Sequence, residues 1–415
     1  MPLMKYAPLA LLLLAGCSTS HTASPGMLQP ERRQPEVKIP PNPTPVPVSD
    51  ELKADAITRG IEVILKLQQG KDNAEWPYEG VYRVRGQIPW GYRVGGTAIC
   101  ALALVEAPGY SDDATRKEAV KRACKFICES RAEADLSLET YKESYDVRSW
   151  GHLEAVATFS RMKQLSAFPE GMEKDIEDAM SFYLDALHKL EMPKAGGWNY
   201  ARPGAPSGFM TSRALQALFE AKAAGYEVDA EVVNRALAFL EKTKASTGAV
   251  AYSGTARGGE PRKSDGVPGA TGRMCAVEST LLLAGRGSIA NTRAACDAFL
   301  VHWAWLNQRR VQTGTHIPPY MVAPYYFMFA HYYAAEAAEL LPNAEREEYR
   351  RHINELLFSV RNEDGSWNDR VFERSGAYGT AMAMFAVMAP DRRPPAKWGG
   401  EPVAAKEPAE KTPTP

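Results

Sequence analysis

The feature that most restricts how this chain folds is an alternation between two kinds of apolar pattern. One kind is one-sided. Ile57, Ile61, Ile64 and Leu65 form a single stripe with Lys and Glu opposite, the mark of a helix half in water. The other kind is apolar nearly all round, as in Thr97–Ala107 (TAICALALVEA) and Thr380–Ala389 (TAMAMFAVMA). A helix without a polar face must be covered on every side, so the second kind belongs to an inner layer and the first to an outer one.

The two kinds pair and recur. One-sided helices are predicted to begin near Glu51, Asp112, Gly171, Asp229, Ser288 and Ala344; all-round apolar helices are predicted near Val94, Asp146, Gly208, Ala270, Tyr320 and Gly376. The repeat is about 55–60 residues long and occurs six times. A helix pair that cannot bury its own inner face has to stack on its neighbours. Six such pairs with inner helices this apolar predict an all-α fold closed into a ring, an α6/α6 toroid over residues 49–390.

One phrase is written twice: KAGGWNYARPGAPSGFMTSRALQAL from Lys194 and NEDGSWNDRVFERSGAYGTAMAMFAV from Asn362. Each falls between an outer and an inner helix. Gly196-Gly197 and Gly365 stop the outer helix because glycine reaches positive φ without a Cβ clash. Trp198 and Trp367 then cap the apolar seam between the layers. A degraded copy reads Leu67-Gln68-Gln69-Gly70, followed by Trp76. This Gln/Gly/Trp pattern resembles the QW-type repeats of the terpenoid cyclase and protein prenyltransferase superfamily, the squalene-hopene cyclase-like toroids. The resemblance implies a toroid in which these residues are structural staples.

It does not carry that superfamily's chemistry with it. The acidic DxDD motif of its cyclases is absent, and the one adjacent Asp pair, Asp112-Asp113, opens an outer helix, where capping explains it. The zinc site of prenyltransferases would need an acid two residues before Cys275, where Arg273 stands. No metal site and no cofactor are expected, and no CxxC spacing occurs.

The ends of the chain read differently. MPLMKYAPLALLLLAGC combines one Lys, a short apolar run and Leu14-Ala15-Gly16-Cys17. The run is shorter than the about 20 residues a membrane-spanning helix needs, and fits a signal peptide over residues 1–17. Its last four residues resemble the lipobox of bacterial lipoproteins. That resemblance implies lipidation at Cys17, a membrane partner through the N-terminal lipid and a place in the cell envelope, with Ser18 favouring the outer membrane. Residues 18–48 read as a disordered Pro-rich tether and 391–415 as a disordered tail. The five cysteines beyond Cys17 read as small core residues, with Cys100–Cys128 and Cys275–Cys296 as alternative cross-helix disulfides. A formal net charge of −1, without basic clusters interleaved with aromatics, excludes a nucleic-acid partner.

Polar and aromatic residues interrupt the inner helices mainly near their first turns. Asp146, Arg148, Trp150, His152, Arg213, Arg273, Glu278, Tyr325 and Tyr326 are therefore the candidate ligand-binding residues, gathered at one mouth of the ring. Three arginines near helix N-termini suit an anionic ligand, whether diphosphate or uronate. The first reading is a toroid that binds a ligand or partner there without the superfamily's catalytic motifs. Two enzymatic alternatives stand beside it: an isoprenoid-processing enzyme with an unorthodox site, and a polysaccharide lyase or hydrolase. The last would take a glycan, with a Tyr–His pair such as Tyr325 or Tyr326 with His152 moving protons.

Overall fold

A computed structural model describes residues 41–80, 83, 86–138, 147–200, 204–256 and 263–400. Among the described residues twelve α-helices alternate between outer and inner positions. The pairs are α1 (Asp50–Lys66) and α2 (Trp90–Glu106), α3 (Ala114–Ser130) and α4 (Arg148–Gln164), α5 (Glu173–Leu190) and α6 (Gly208–Ala223). They continue with α7 (Ala230–Lys242) and α8 (Val267–Leu283), α9 (Ile289–Arg309) and α10 (Tyr326–Glu339), α11 (Asn343–Phe358) and α12 (Gly376–Val387). Each inner helix packs on the next, α2 on α4 and so on to α12, and α12 returns to α2 and to α1. The ring is closed. Among the described residues the only β pairing is three isolated bridges, Gln69 with Glu75, Lys244 with Val250 and Ile317 with Val322, each pinching a loop that leads to an inner helix.

Local chemistry fixes the outer starts. Ser49, Asp113, Asp229 and Ser288 are N-caps whose side chains accept the free backbone N–H groups of the first turn. Of the pair Asp112-Asp113, Asp113 is thus spent on capping α3, and Asp112 accepts from the Ser111 hydroxyl at 3.1 Å. Inner helices are buried on nearly every side, and α12 has all twelve of its residues buried. Small residues make such packing feasible. A Cβ added to Gly151 would stand 2.8 Å from the Cα of Gly91, so α2 and α4 cross at a contact only glycine permits.

The repeated phrase is a two-ended staple. The indole N–H of Trp76, Trp198 and Trp367 donates to a last-turn carbonyl of the preceding outer helix: Ile64 at 2.6 Å, Leu187 at 2.8 Å and Leu357 at 2.9 Å. The backbone N–H of the same tryptophans donates to a threonine hydroxyl of the following inner helix: Thr97 at 2.9 Å, Thr211 at 3.0 Å and Thr380 at 3.1 Å. All three indoles are 0–1% exposed. Each staple satisfies two buried backbone groups at a helix junction while filling the seam. Gly196, Gly197 and Gly365 take φ of 80°, 87° and 89°, as the turn before each indole requires.

Three expectations change. The fifth inner helix begins at Tyr326 instead of near Tyr320, because Pro324 and the Ile317–Val322 bridge hold the preceding residues in a loop. Residues 391–400, expected to belong to a loose tail, hold defined positions across one mouth of the ring. Asn42, expected in the tether, donates to the Leu300 carbonyl at 2.8 Å. Cys17, most of the tether and residues 401–415 lie outside the described residues. The five described cysteines are buried free thiols, so neither disulfide is present. Among the described residues no helix is long and apolar enough to cross a membrane.

Candidate functional site

The nine candidate residues do not form one cluster. Arg273 is 1% exposed and its donors are taken by the carbonyls of Val250 (2.9 Å), Gly269 (2.9 Å) and Ser264 (2.6 Å), with Asp265 at 3.4 Å. It ties the loop before α8 to the helix. Arg148 likewise donates to the Ser137 carbonyl, and Glu278 pairs with Lys244 at 2.7 Å. His152 faces the outer layer, packed on Phe182 and Tyr183 with ring centroids 5.8 and 5.5 Å away. Burial, with the Arg148 charge adding to it, pushes its pKa down to about 3, so it stays neutral. Asp146 lies outside the described residues. The arginines therefore leave no vacant anion site: two answer local carbonyls, and Arg213 has a carboxylate.

That carboxylate is Glu154, which sequence reading passed over. Arg213 Nε and Nη2 reach its two oxygens at 2.9 and 2.5 Å, a bidentate pair. Both residues line a cavity of about 170 Å³ on the axis of the ring, walled by Trp150, Phe329, Tyr332, Tyr333 and Tyr378. The volume is close to that of a cavity that accommodates one six-membered ring, about 150 Å³. A second carboxyl, Glu336 of α10, enters from the far wall and accepts from Gln216 Nε2 at 2.7 Å. Burial raises its pKa, against the opposing effects of Gln216, Arg392 and Arg213. One cavity thus holds an ion-paired carboxylate and a carboxyl pushed towards its protonated form. Two acids in such unlike surroundings can serve as a proton donor and a charged partner.

The two ends of the cavity differ in kind. At the N-terminal ends of the inner helices the rings interlock: Tyr78 with Tyr378 at 4.3 Å, Tyr92 with Trp150 at 5.6 Å, and Phe209 with Tyr326 at 5.5 Å. Tyr325 and Tyr326 belong to this layer, 4.7 Å apart. Behind it Tyr78 donates to the buried Asp369 at 3.4 Å, and burial pushes the Asp369 pKa up to about 7 despite Arg370.

At the C-terminal ends, charge replaces rings. Arg161 of α4 bonds Glu106 of α2 at 2.8 and 3.0 Å and lies 3.8 Å from Glu220 of α6. Arg392 joins Glu106 at 2.5 Å. Residues 391–400 form a strap over this end. Arg161 donates to the Arg393 carbonyl, the Ala396 N–H donates to Glu220 at 2.9 Å, and the Trp398 N–H donates to Leu283 at 3.1 Å. The strap so passes from α12 across α4 and α6 to α8.

Of the nine candidates, Trp150 and Arg213 line the axial cavity. Glu154, Gln216, Tyr332, Tyr333 and Glu336 were missed because they lie in the middle turns. A signal existed: each of α4, α6 and α10 carries isolated polar residues within an otherwise apolar run. Among the described residues no group of three or more His, Cys, Asp or Glu side chains is placed to hold a metal ion.

This arrangement defines an α/α toroid with an axial acid-bearing cavity, and solved structures share the fold. An inactive double-aspartate variant of an α-1,6-mannanase from Salegentibacter sp. HEL1_6 matches with a TM-score of 0.52 at 11% identity, over 81% of this chain and 99% of that one. An unsaturated glucuronyl hydrolase from Bacillus sp. GL1 matches with a TM-score of 0.54 at 14% identity, over 83% and 98%. A D-mannose isomerase matches at 0.52 and 13%, over 83% and 99%. No family model and no curated protein matches the sequence. These neighbours overturn the resemblance to terpenoid cyclases and prenyltransferases. The physical reason lies in the staple: an indole bridging outer and inner helices solves a packing problem of any two-layer toroid, so it reports architecture and not chemistry.

Proposed function

We propose that this chain is a carbohydrate-processing toroid of the glycoside hydrolase type, acting on a sugar ring seated in the axial cavity. The observation that carries the reading is the pair of acids in unlike environments within one aromatic-walled cavity. Glu336, its ionisation disfavoured by burial, is the proton donor to the glycosidic oxygen. Glu154, held by Arg213, supplies the fixed negative charge that favours an oxocarbenium-like transition state. Trp150 and Tyr378 offer faces for the apolar side of a pyranose. The mannanase, solved in complex with α-1,6-mannotriose, and the glucuronyl hydrolase, responsible for degradation of glycosaminoglycan, agree with a glycan ligand. Among the described residues the adjacent aspartate pair Asp112-Asp113 stands at the start of the outer helix α3, away from the axial cavity. In this reading the acid is Glu336 of α10. An envelope address through Cys17 also fits a glycan-facing role.

The test is turnover of α-1,6-mannooligosaccharides and unsaturated glucuronyl disaccharides, read by chromatography of the products. The expected outcome is cleavage of at least one substrate, with Glu336→Gln lowering kcat by about 100-fold or more and leaving the fold intact. Turnover unchanged in Glu336→Gln would remove the assignment.

A further inference from the structure

A second polar assembly lies at the aromatic end, apart from the two acids. His316 and Tyr325 come from the loop before α10, and Tyr252 from the loop before α8. The His316 Nδ1 is 2.6 Å from the Met321 carbonyl, which can only accept, so Nδ1 carries the proton. In the neutral ring Nε2 is then a bare acceptor, and the Tyr325 hydroxyl, 3.1 Å away, donates to it. With its own proton committed, the Tyr325 oxygen accepts from the Tyr252 hydroxyl at 3.3 Å. The chain of donors has one direction, from Tyr252 to Tyr325 to His316.

The scaffold holds this order. The Tyr252 N–H is anchored on Asp265 at 2.8 Å, and the Tyr252 ring stands edge-on to His316 with centroids 4.6 Å apart. All three side chains are only partly buried. Tyr325 also packs on Phe209 (6.1 Å), and Phe209 packs on Phe329 (5.6 Å), which lines the axial cavity. The assembly is thus one aromatic layer away from the proposed sugar position.

We propose that Tyr252, Tyr325 and His316 form a directional hydroxyl-recognition subsite, which takes the sugar unit adjoining the one in the axial cavity. The proposal rests on the carbohydrate reading above. The open end of the chain is the Tyr252 oxygen, which accepts a hydrogen bond from a sugar hydroxyl. Protonating His316 reverses it. The imidazolium Nε2–H must donate to Tyr325, Tyr325 then donates to Tyr252, and Tyr252 turns from acceptor to donor at its open end. No bond is made or broken, so the subsite recognises without catalysing.

The charged and titratable groups around the ring keep the acceptor form in place near neutral pH. Burial lowers the His316 pKa, the Met321 bond opposes this, and Arg273 of α8 and Arg309 of α9 lower it further. Tyr326 also faces the ring, 6.4 Å away.

Two measurements test the subsite. Nitrogen NMR of the full chain reads the His316 tautomer without any sugar; the expected form is Nδ1–H at neutral pH. Calorimetry with α-1,6-mannotriose reads the open end. About a tenfold loss of affinity is expected in Tyr252→Phe, and a similar loss in the wild type when His316 is protonated. His316→Gln, whose amide has no titration in this range, should remove that pH dependence. An Nε2–H tautomer, or wild-type affinity in Tyr252→Phe, overturns the proposal. Failure of the axial reading looks different: turnover untouched by Glu336→Gln while the binding losses persist. Absence of mannotriose binding in the wild type overturns the sugar assigned to this rim.

Discussion

The two ends of the inner barrel are made from the same six helices and solve burial in opposite ways. At the N-terminal end, rings from α2, α4, α6, α10 and α12 interlock, and three tryptophan staples pin the junctions with neutral hydrogen bonds. At the C-terminal end, Glu106, Arg161, Glu220 and Arg392 form a buried ion network beneath the strap. The placement follows backbone electrostatics. Arginines at Arg161 and Arg392 lie where helix C-termini concentrate partial negative charge. The Glu106 carboxyl, which burial alone would push up, is held below the ordinary range by Arg392 and Arg161 together. At the aromatic end the buried Asp369 has no such match and its pKa rises. The lesson concerns where a free acid or base is found: where charges are paired, they hold structure, and where they are left to rings, they keep their protons.

The largest expected effect breaks the ionic end. Arg161→Met leaves Glu220 without its cation and Glu106 with only Arg392. Loss of one partner from a buried network costs about 3–5 kcal/mol, read as a lower urea midpoint. A change below about 1 kcal/mol would show that water reaches these groups and that the ends are not different in kind.

At the aromatic end the sign should invert. The Asp369 pKa in the fold, about 7, lies above the ordinary 3.8. Between those values the folded state keeps a proton that the unfolded state releases, so stability falls as pH rises from about 4 to about 7 and then levels. Asp369→Asn removes the penalty. It should match the wild type near pH 4 and exceed it at pH 8 by a few kcal/mol. Identical midpoints at both pH values would mean that Arg370 already compensates the charge.

The smallest effect concerns a staple. Thr380→Val strips the acceptor from the Trp367 N–H and should cost about 1–3 kcal/mol, the penalty of one unsatisfied buried donor. Thermal melts of this variant against Arg161→Met rank a neutral and an ionic junction directly.

The layers, the closure and the staples were legible because each rests on short-range signals. Helix starts at Gly208 and Gly376 agree with expectation, and Asp229 and Ser288 cap the outer helices read from them. The start near Tyr320 was not, since an aromatic run without periodicity looks the same in a loop and a buried helix until Pro324 is weighed. The site was legible only in part. Arg148 opens α4 as expected and Arg273 falls in the second turn of α8, yet a guanidinium beside a loop is satisfied by carbonyls that no spacing reveals. The pairing of Arg213 with Glu154 spans neighbouring inner helices, and the partner of Tyr325 is His316 from its own loop, not His152 on the outer-facing side of α4. The staple also misled at the level of family, because it was read as ancestry when its geometry answers a packing requirement.

Closure of the ring bears on how such a chain assembles. The staples join helices adjacent in sequence, so each stapled pair forms within one repeat, whereas the seam of α12 with α1 and α2 brings the first and last repeats together. The entropic cost of that meeting rises only slowly with distance, by about 0.6 kcal/mol for each doubling of the loop. The seam is therefore one junction among six and not a privileged one. A chain opened between two other pairs and rejoined at α12 and α1 keeps every helix-to-helix contact of the ring. In topological terms the molecule has an order of neighbours but no first neighbour.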